Sequence, residues 1–238
     1  MKTGKIIVDL LVEEDVNIAN VLSNEVEYLN QNRRRIEKDV VEKAMKQIDD
    51  DRYTNIVYGK DWNQGVLGIV ASRIIERSYK PTIVMTESNE DILTGSVRSV
   101  KDFDVYQSLS NCKDNILQYG GHKYAAGLKV KKSKFNIFKT QFESTVKNYV
   151  DKKMFTRDFS YDILIDFSKL TIENVKILSR MAPFGLGNKR PVFRTKDCFI
   201  SATFKFLGKE KQIVKSRIKD RSGLSLIHIS EPTRQWQI

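Results

Sequence analysis

The sequence contains little cysteine and no long apolar stretch. Its 238 residues include two cysteines, Cys112 and Cys198, which lie far apart in the chain. Two isolated thiols cannot form a disulfide framework, and they do not have the spacing of a zinc site. No apolar run approaches the ~20 residues of a membrane span, and the N-terminus lacks the apolar region and cleavage site of a signal peptide. We therefore predict a cytoplasmic protein that does not associate with membranes.

Histidine is equally scarce, since His122 and His228 are the only two in the sequence. Catalytic metals are usually held by clusters of histidine and acidic residues, and the sequence shows no such cluster. We therefore predict no metal site within these residues. Hydrophobic residues nevertheless make up 40% of the chain, which indicates a globular protein with one large or two small domains.

The net charge of +11 is concentrated in the C-terminal half. Residues 1–52 carry nine basic and twelve acidic groups, whereas residues 189–219 carry ten basic groups against Asp197 and Glu210. A clustered basic surface is typical of proteins that bind a polyanion. A solvated, lysine-rich surface without a ligand is the alternative that charge alone leaves open.

The N-terminal part of the sequence predicts a long helix followed by an α/β domain. Apolar residues recur at helical spacing over residues 15–48. A buried strand at 53–58 is followed by an amphipathic helix and by a strand that starts after Pro81. Two strands joined through a helix by short connections imply a parallel pair. Residues 133–150 predict a further amphipathic helix with an inner face of phenylalanines.

From residue 160 onward the pattern changes to short strands. A helix that Thr171 can cap is followed by PFGLGNKRPVF, whose prolines and glycines end the helix. The last strands interleave basic and aromatic residues, which is typical of a small β-barrel such as an OB-fold. We expect a partial barrel, because too few strands precede residues 223–238, which we predict to be a non-native tail.

Together these patterns predict an α/β domain, with a mixed sheet and flanking helices, preceded by a long connector helix and followed by a partial OB-fold β-barrel. The predicted boundaries are 1–52 for the connector helix region, 53–155 for the α/β domain, 156–222 for the barrel and 223–238 for the tail.

Two segments carry residues suited to phosphate binding. In GSVRS, alternation along a strand places Ser96 and Arg98 on one face, and the guanidinium fork matches phosphate oxygens. An ordinary Ser–Arg pair on a surface strand is the alternative.

The second segment, LQYGGHKYAAGLKV, combines Gly120, Gly121 and His122 with Ala126 and Gly127. Glycine permits close approach by a ligand, and consecutive exposed amides form an anion-binding nest. His122 beside such a nest can contact a phosphate or transfer a proton. A tight turn with an incidental histidine is the alternative.

Three segments resemble, in order and spacing, the C-terminal half of the RecJ family of single-strand-specific exonucleases, within the DHH phosphoesterase superfamily. They are WNQGVLGIVASR, GSVRS and YGGHKYAAGL. PFGLGNKRPVF resembles the OB-fold segment of that family, and the resemblance covers residues 10–220. Asn63 departs from it, since the family commonly has histidine there, and residues 223–238 match nothing in the family.

The resemblance implies that Ser96 and Arg98 hold the 5′-terminal phosphate of single-stranded DNA, while Gly120, Gly121 and His122 face the scissile phosphate. The implied phosphate-binding set is Ser96, Arg98, Gly120, Gly121, His122, Ala126 and Gly127. Catalytic Mn²⁺ or Mg²⁺ ions are implied on a DHH half that this sequence does not contain.

The C-terminal basic residues are expected to contact the same strand. They are Lys205, Lys209, Lys211, Lys215 and Arg217, with Phe204 or Phe206 stacking on a base.

We therefore expect part of a monomeric 5′→3′ single-stranded-DNA exonuclease of DNA repair and recombination, inactive without its metal-binding half. Two alternatives stay open. One is an oligonucleotide or cyclic-dinucleotide phosphodiesterase of the same superfamily, against which PFGLGN argues. The other is a non-catalytic module that binds single strands.

Overall fold

The chain forms two compact units, Met1–Thr156 and Arg157–Ile238. The computed structural model describes residues 3–149, 155, 160–207, 213–219 and 225–230. Within these described ranges, no helix is both long and apolar enough to cross a membrane.

Two helices begin the first unit, α1 (Thr3–Val12) and α2 (Val16–Met45). The carboxylate of Asp15 accepts hydrogen bonds from the backbone N–H groups of Asn17 and Ile18 at 2.7 and 3.3 Å. This N-cap satisfies donors that the first helical turn leaves unpaired. The predicted long helix is therefore present, but it starts at this cap and a separate short helix precedes it.

The last turns of α2 pack onto the body of the unit. Val40, Val41 and Ala44 are buried in a cluster with apolar residues of α3 (Leu67–Arg77). Earlier in α2, Val21 is one of the apolar residues at helical spacing, but it is exposed. The apolar spacing therefore identifies the helix, and the buried residues of the helix lie in its C-terminal turns.

A five-stranded sheet forms the body of the first unit, in the order β1-β2-β3-β5-β4. The strands are β1 (Asn55–Tyr58), β2 (Thr82–Asn89), β3 (Ile92–Arg98), β4 (Gln118–His122) and β5 (Ala125–Lys131). β1 and β2 are parallel, with α3 between them in the chain, and the other pairs are antiparallel. The mixed sheet of the predicted α/β domain is therefore confirmed.

Helices cover the two faces of this sheet unequally. On one face, α4 (Val105–Ser110) and α5 (Phe135–Tyr149) contribute to the larger core, in which Phe138 and Phe142 are fully buried. On the other face, α2 and α3 pack over β1 and β2, where Val84 is buried, and α3 also contacts β3 near Ser96 and Arg98. The part of this second face that β3, β5 and β4 form carries glycines and exposed polar residues, so it is open to a ligand.

The second unit is built mainly from short strands. Its elements are β6 (Ile163–Leu164), α6 (Ile172–Ser179), β7 (Phe193–Arg194), β8 (Phe199–Leu207), β9 (Ile213–Lys219) and β10 (Ser225–Ser230). β6 and β7 form a parallel ladder, and β8, β9 and β10 form an antiparallel sheet. Thr171 caps α6 as predicted, because its Oγ1 accepts a hydrogen bond from the Asn174 N–H at 3.2 Å. β10 lies within the predicted tail and pairs with β9, while the origin of residues 223–238 stays a prediction.

Candidate nucleic-acid interface

Strand register brings most of the predicted phosphate-binding residues onto one open face of the first sheet. Residues directly opposite one another on neighbouring strands share a face. One such row crosses β3, β5 and β4 as Ser96, Gly127 and Gly120, and the next as Arg98, Ala125 and His122. We refer to this surface, carrying Ser96, Arg98, Gly120, His122 and Gly127, as the phosphate face.

Arg98 is the cation of the phosphate face. Its Nη1 donates hydrogen bonds to Ser96 Oγ at 3.1 Å and to the Val97 carbonyl oxygen at 2.9 Å. The guanidinium is partly buried, and it forms no ion pair with any acidic residue that the structure describes. A partly desolvated arginine without a carboxylate is suited to bind an anion, and its fork fits a phosphate in particular.

The first turn of α3 lies against this pair. A Cβ placed on Gly68 would stand 2.6 Å from Arg98 Nη2 and 3.2 Å from Ser96 Oγ. The absence of a side chain therefore makes room for the guanidinium, and the positive end of the helix dipole lies beside it. The sequence indicates Gly68 as one of the small residues, with Gly65 and Ala71, that let this helix lie close to the sheet, but it does not predict the contact of Gly68 with Arg98.

Gly121 and Ala126 do not belong to the phosphate face, which corrects the prediction for both. The chain alternates between faces, so both point to the opposite side, where Ala126 is buried in the core. Gly121 has φ +146°, and a Cβ on it would lie 2.3 Å from the Ala125 carbonyl oxygen and 2.5 Å from Ala126 Cα. The backbone of its own hairpin, rather than a ligand, requires glycine there.

Gly120 and Gly127 form the floor of the phosphate face. A Cβ on Gly120 would meet nothing within 4 Å, and one on Gly127 would meet the Gly95 carbonyl oxygen at 3.9 Å. Packing among the described residues therefore does not require glycine at either position. The predicted anion-binding nest is wrong, however, because Gln118–His122 is a strand, in which successive N–H groups point in opposite directions.

His122 is exposed at the end of β4. Its Nδ1 accepts a hydrogen bond from the Tyr124 N–H at 3.3 Å, across the turn that connects β4 to β5. This bond orients the ring and leaves Nε2 as the nitrogen available to a ligand on the phosphate face. Contact with a phosphate oxygen and proton transfer are both compatible with that position.

Asn63 has a structural role before α3. Its Oδ1 accepts a hydrogen bond from the Gly65 N–H at 2.8 Å, and thereby caps the short 3-10 turn Gln64–Val66. Asparagine is among the preferred N-cap residues, so this position contributes to the start of the helical segment.

The second unit has a basic face of its own, on the sheet of β8 and β9. Lys205 and Lys215 lie directly opposite each other, and Arg217 and Lys219 follow Lys215 at alternate positions of β9. Phe199 pairs with Lys219 and is 61% exposed. We call the surface of Phe199, Lys205, Lys215, Arg217 and Lys219 the basic strand face.

Four further residues that were predicted to contact the strand are not on the described part of this surface. Lys209 and Lys211 lie outside the described residues, as does the side chain of Phe204. Phe206 is adjacent to Lys205 in β8, so it points to the opposite side of the sheet. Within the described part of the basic strand face, the aromatic residue is therefore Phe199, which the sequence reasoning missed.

No cluster of three or more histidine, cysteine, aspartate or glutamate residues is present in the part of the chain that the structure describes. The described residues therefore do not provide a ligand set for a catalytic metal ion.

Comparisons with known proteins match both units. Residues 38–148 match the DHHA1 domain, and residues 161–229 match the RecJ OB domain. The chain belongs to the RecJ family. Its relatives include the single-stranded-DNA-specific exonuclease RecJ of Bacillus subtilis, 29% identical over 91% of this chain and 28% of the relative. RecJ of Dickeya dadantii is 32% identical over 78% of this chain and 34% of the relative.

Solved RecJ structures agree with this assignment. Thermus thermophilus RecJ in complex with Mg²⁺ matches at a TM-score of 0.78 and 26% identity, over 96% of this chain and 35% of that protein. The Mn²⁺ complex matches equally well. The chain spans about a third of the length of the RecJ proteins that it matches. The predicted resemblance to the RecJ family and the predicted fold class are therefore confirmed, and this is a family of exonucleases.

Proposed function

We propose that this RecJ-family chain is the substrate-binding part of a 5′→3′ exonuclease specific for single-stranded DNA. The phosphate face holds the 5′-terminal phosphate through Ser96 and Arg98, and the basic strand face binds the strand. The observation that carries the proposal is the Arg98 guanidinium, which is partly buried, held by Ser96 and without a carboxylate partner among the described residues.

The glycine floor supports this role. Packing would tolerate a side chain at Gly120 and at Gly127, yet neither residue has one. A phosphodiester backbone can therefore approach the sheet closely. His122 stands at the end of this floor, where it would contact the scissile phosphate or transfer a proton. Proton transfer by one side chain typically contributes about 10²–10⁴-fold to a rate, which is too little to hydrolyse a phosphodiester unaided.

The basic strand face supports single-strand binding independently. Like charges directly opposite each other destabilise a sheet, yet Lys205 and Lys215 form such a pair. A polyanion would neutralise this repulsion, and the exposed Phe199 ring on the same face offers a stacking surface for a base.

The chain is proposed to bind DNA without cutting it. The described residues do not offer a metal-ligand set, and the resemblance to RecJ implies ligands for Mn²⁺ or Mg²⁺ on a DHH half. Titration of the purified chain into labelled single-stranded and double-stranded DNA should show preferential, salt-sensitive binding of the single strand. Incubation with Mn²⁺ should release no mononucleotides. Chelator-sensitive release that follows the chain through purification would show that these residues contain the catalytic site.

A short-oligonucleotide or cyclic-dinucleotide phosphodiesterase is the competing function. The RecJ OB domain match at residues 161–229 favours a longer strand, because OB-folds bind several nucleotides of a single strand along a groove. Equal affinity for a dinucleotide and for a long strand would support the competing function instead.

A further inference from the structure

A small polar cavity lies beside the glycine floor of the phosphate face. Its volume is about 330 Å³, and the residues that line it include Thr94, Gln118, Lys129, Gly120 and Gly127. Among the residues that the structure describes, no acidic residue lines this cavity, and the charged group in its lining is the Lys129 ammonium.

The three side chains form the next row across the same face. Thr94 and Gln118 lie directly opposite Lys129, on β3 and β4 respectively. Lys129 and Gln118 are exposed, and Lys129 forms no ion pair with an acidic residue in the described ranges. A cation flanked by an amide and a hydroxyl can bind a phosphate and the polar atoms of a sugar or base together.

We propose that Lys129 and Gln118 form a second phosphate subsite, which binds an internal phosphodiester of the strand whose 5′ end is held at Arg98. This inference rests on the proposed function, because it takes the Arg98 site as the first subsite. Thr94 completes the cavity, and the glycine floor lies between the two subsites.

Strand geometry sets the spacing between the subsites. Ala125, opposite Arg98, and Lys129 are four residues apart on β5, which corresponds to about 13 Å along the strand. Stacked nucleotides advance about 3.4 Å per phosphate, so at most about four of them span this distance, and fewer do so when the strand is extended. A strand must therefore exceed a minimum length before it reaches Lys129.

The experiment measures binding of 5′-phosphorylated oligothymidylates of increasing length to the full chain. For the unaltered protein, affinity should rise stepwise between about two and five nucleotides. Lys129→Gln keeps the size of the side chain and should reduce affinity about fivefold for strands beyond the step, with no change for the dinucleotide. Lys147→Gln is the matched control, because this exposed lysine lies on α5, which packs on the opposite face of the sheet.

Arg98→Ala, measured in parallel, separates the two claims. If Arg98→Ala removes the preference for a 5′-phosphate while Lys129→Gln binds every length like the unaltered protein, the second subsite is wrong and the proposed function stands. If Arg98→Ala leaves the 5′-phosphate preference intact, the proposed role of Arg98 is wrong, and the second subsite loses its basis. Loss of affinity at all lengths in Lys129→Gln would also contradict the subsite, since the dinucleotide is too short to reach it.

Discussion

The Arg98 guanidinium occupies space that a side chain on Gly68 would need, because a Cβ on Gly68 would stand 2.6 Å from Arg98 Nη2. The group that would have to move is the far end of a flexible side chain and not the backbone. The glycine in α3 therefore leaves room for the arginine of β3. The surface of α3 at this glycine determines where the positive charge lies on the sheet.

Gly68→Ala should weaken binding of 5′-phosphorylated single strands while leaving the protein at least as stable. Alanine displaces the guanidinium from Ser96, whereas its helix propensity favours folding by up to ~1 kcal/mol over glycine. Fluorescence titration and urea unfolding measure the two effects. Gly4→Ala in α1, where a Cβ would meet nothing within 4 Å, is the control. A variant that binds normally would show that the position of Arg98 is unimportant.

Substitution of the adjacent glycines in β4 should separate fold from function. Gly121→Ala places a Cβ against the hairpin backbone at φ +146°, so we expect a loss of about 1–3 kcal/mol in the free energy of unfolding. Gly120→Ala has open space around it and should keep the stability, but it should reduce affinity for single strands because it raises the floor. If Gly120→Ala lost stability and Gly121→Ala lost only affinity for single strands, the ligand would lie on the other side of the sheet.

Lys205→Glu should stabilise the second unit and weaken DNA binding. It converts a like-charge pair with Lys215 into an opposite-charge pair, worth roughly 0.2–1 kcal/mol in a sheet. If one phosphate contact is lost, the log–log salt dependence of binding should flatten by about 0.7. Lys176→Glu on α6 is the control for charge reversal elsewhere in the same unit. An unchanged salt dependence in Lys205→Glu would mean that the basic strand face is only a solvated surface.

The free energy of unfolding should decrease in strong alkali, because the Tyr58 hydroxyl ionises there. Burial and a hydrogen bond to Glu87 raise the pKa of Tyr58 from 10.0 to about 12, and Lys132 Nζ holds the same carboxylate at 2.6 Å. Because the folded pKa is raised, this contribution is fully present below pH 10 and is lost as the pH rises through about 12. In urea unfolding, the unaltered protein should exceed Tyr58→Phe in stability at pH 8, and this difference should shrink at pH 12. A difference that does not depend on pH would exclude the linkage.

The sequence predicts the elements and the pair at the centre of the site. Helical spacing identifies α2, and strand alternation places Ser96 and Arg98 on one face, as observed. It does not predict the different roles of Gly120 and Gly121, because those depend on which face of a hairpin packs on the core.

Two further features require the pairing of distant segments. Gly68 acquires its role through contact with Arg98, thirty residues later in the chain. Strand register places Phe199 and the lysines on the same side of β8 and β9. Local sequence patterns do not specify that register.

The central claim, that Arg98 binds the 5′-terminal phosphate, is tested most directly by a double cycle. The same oligothymidylate, with a 5′-phosphate or a 5′-hydroxyl, is titrated against the unaltered chain, Arg98→Ala and the control Arg77→Ala, at the exposed C-terminal end of α3. The unaltered chain and the control should prefer the phosphorylated strand by about tenfold or more, as a charge-assisted contact provides, and Arg98→Ala should bind both strands equally. An equal loss of affinity for both strands in Arg98→Ala, with the preference retained, would contradict the account.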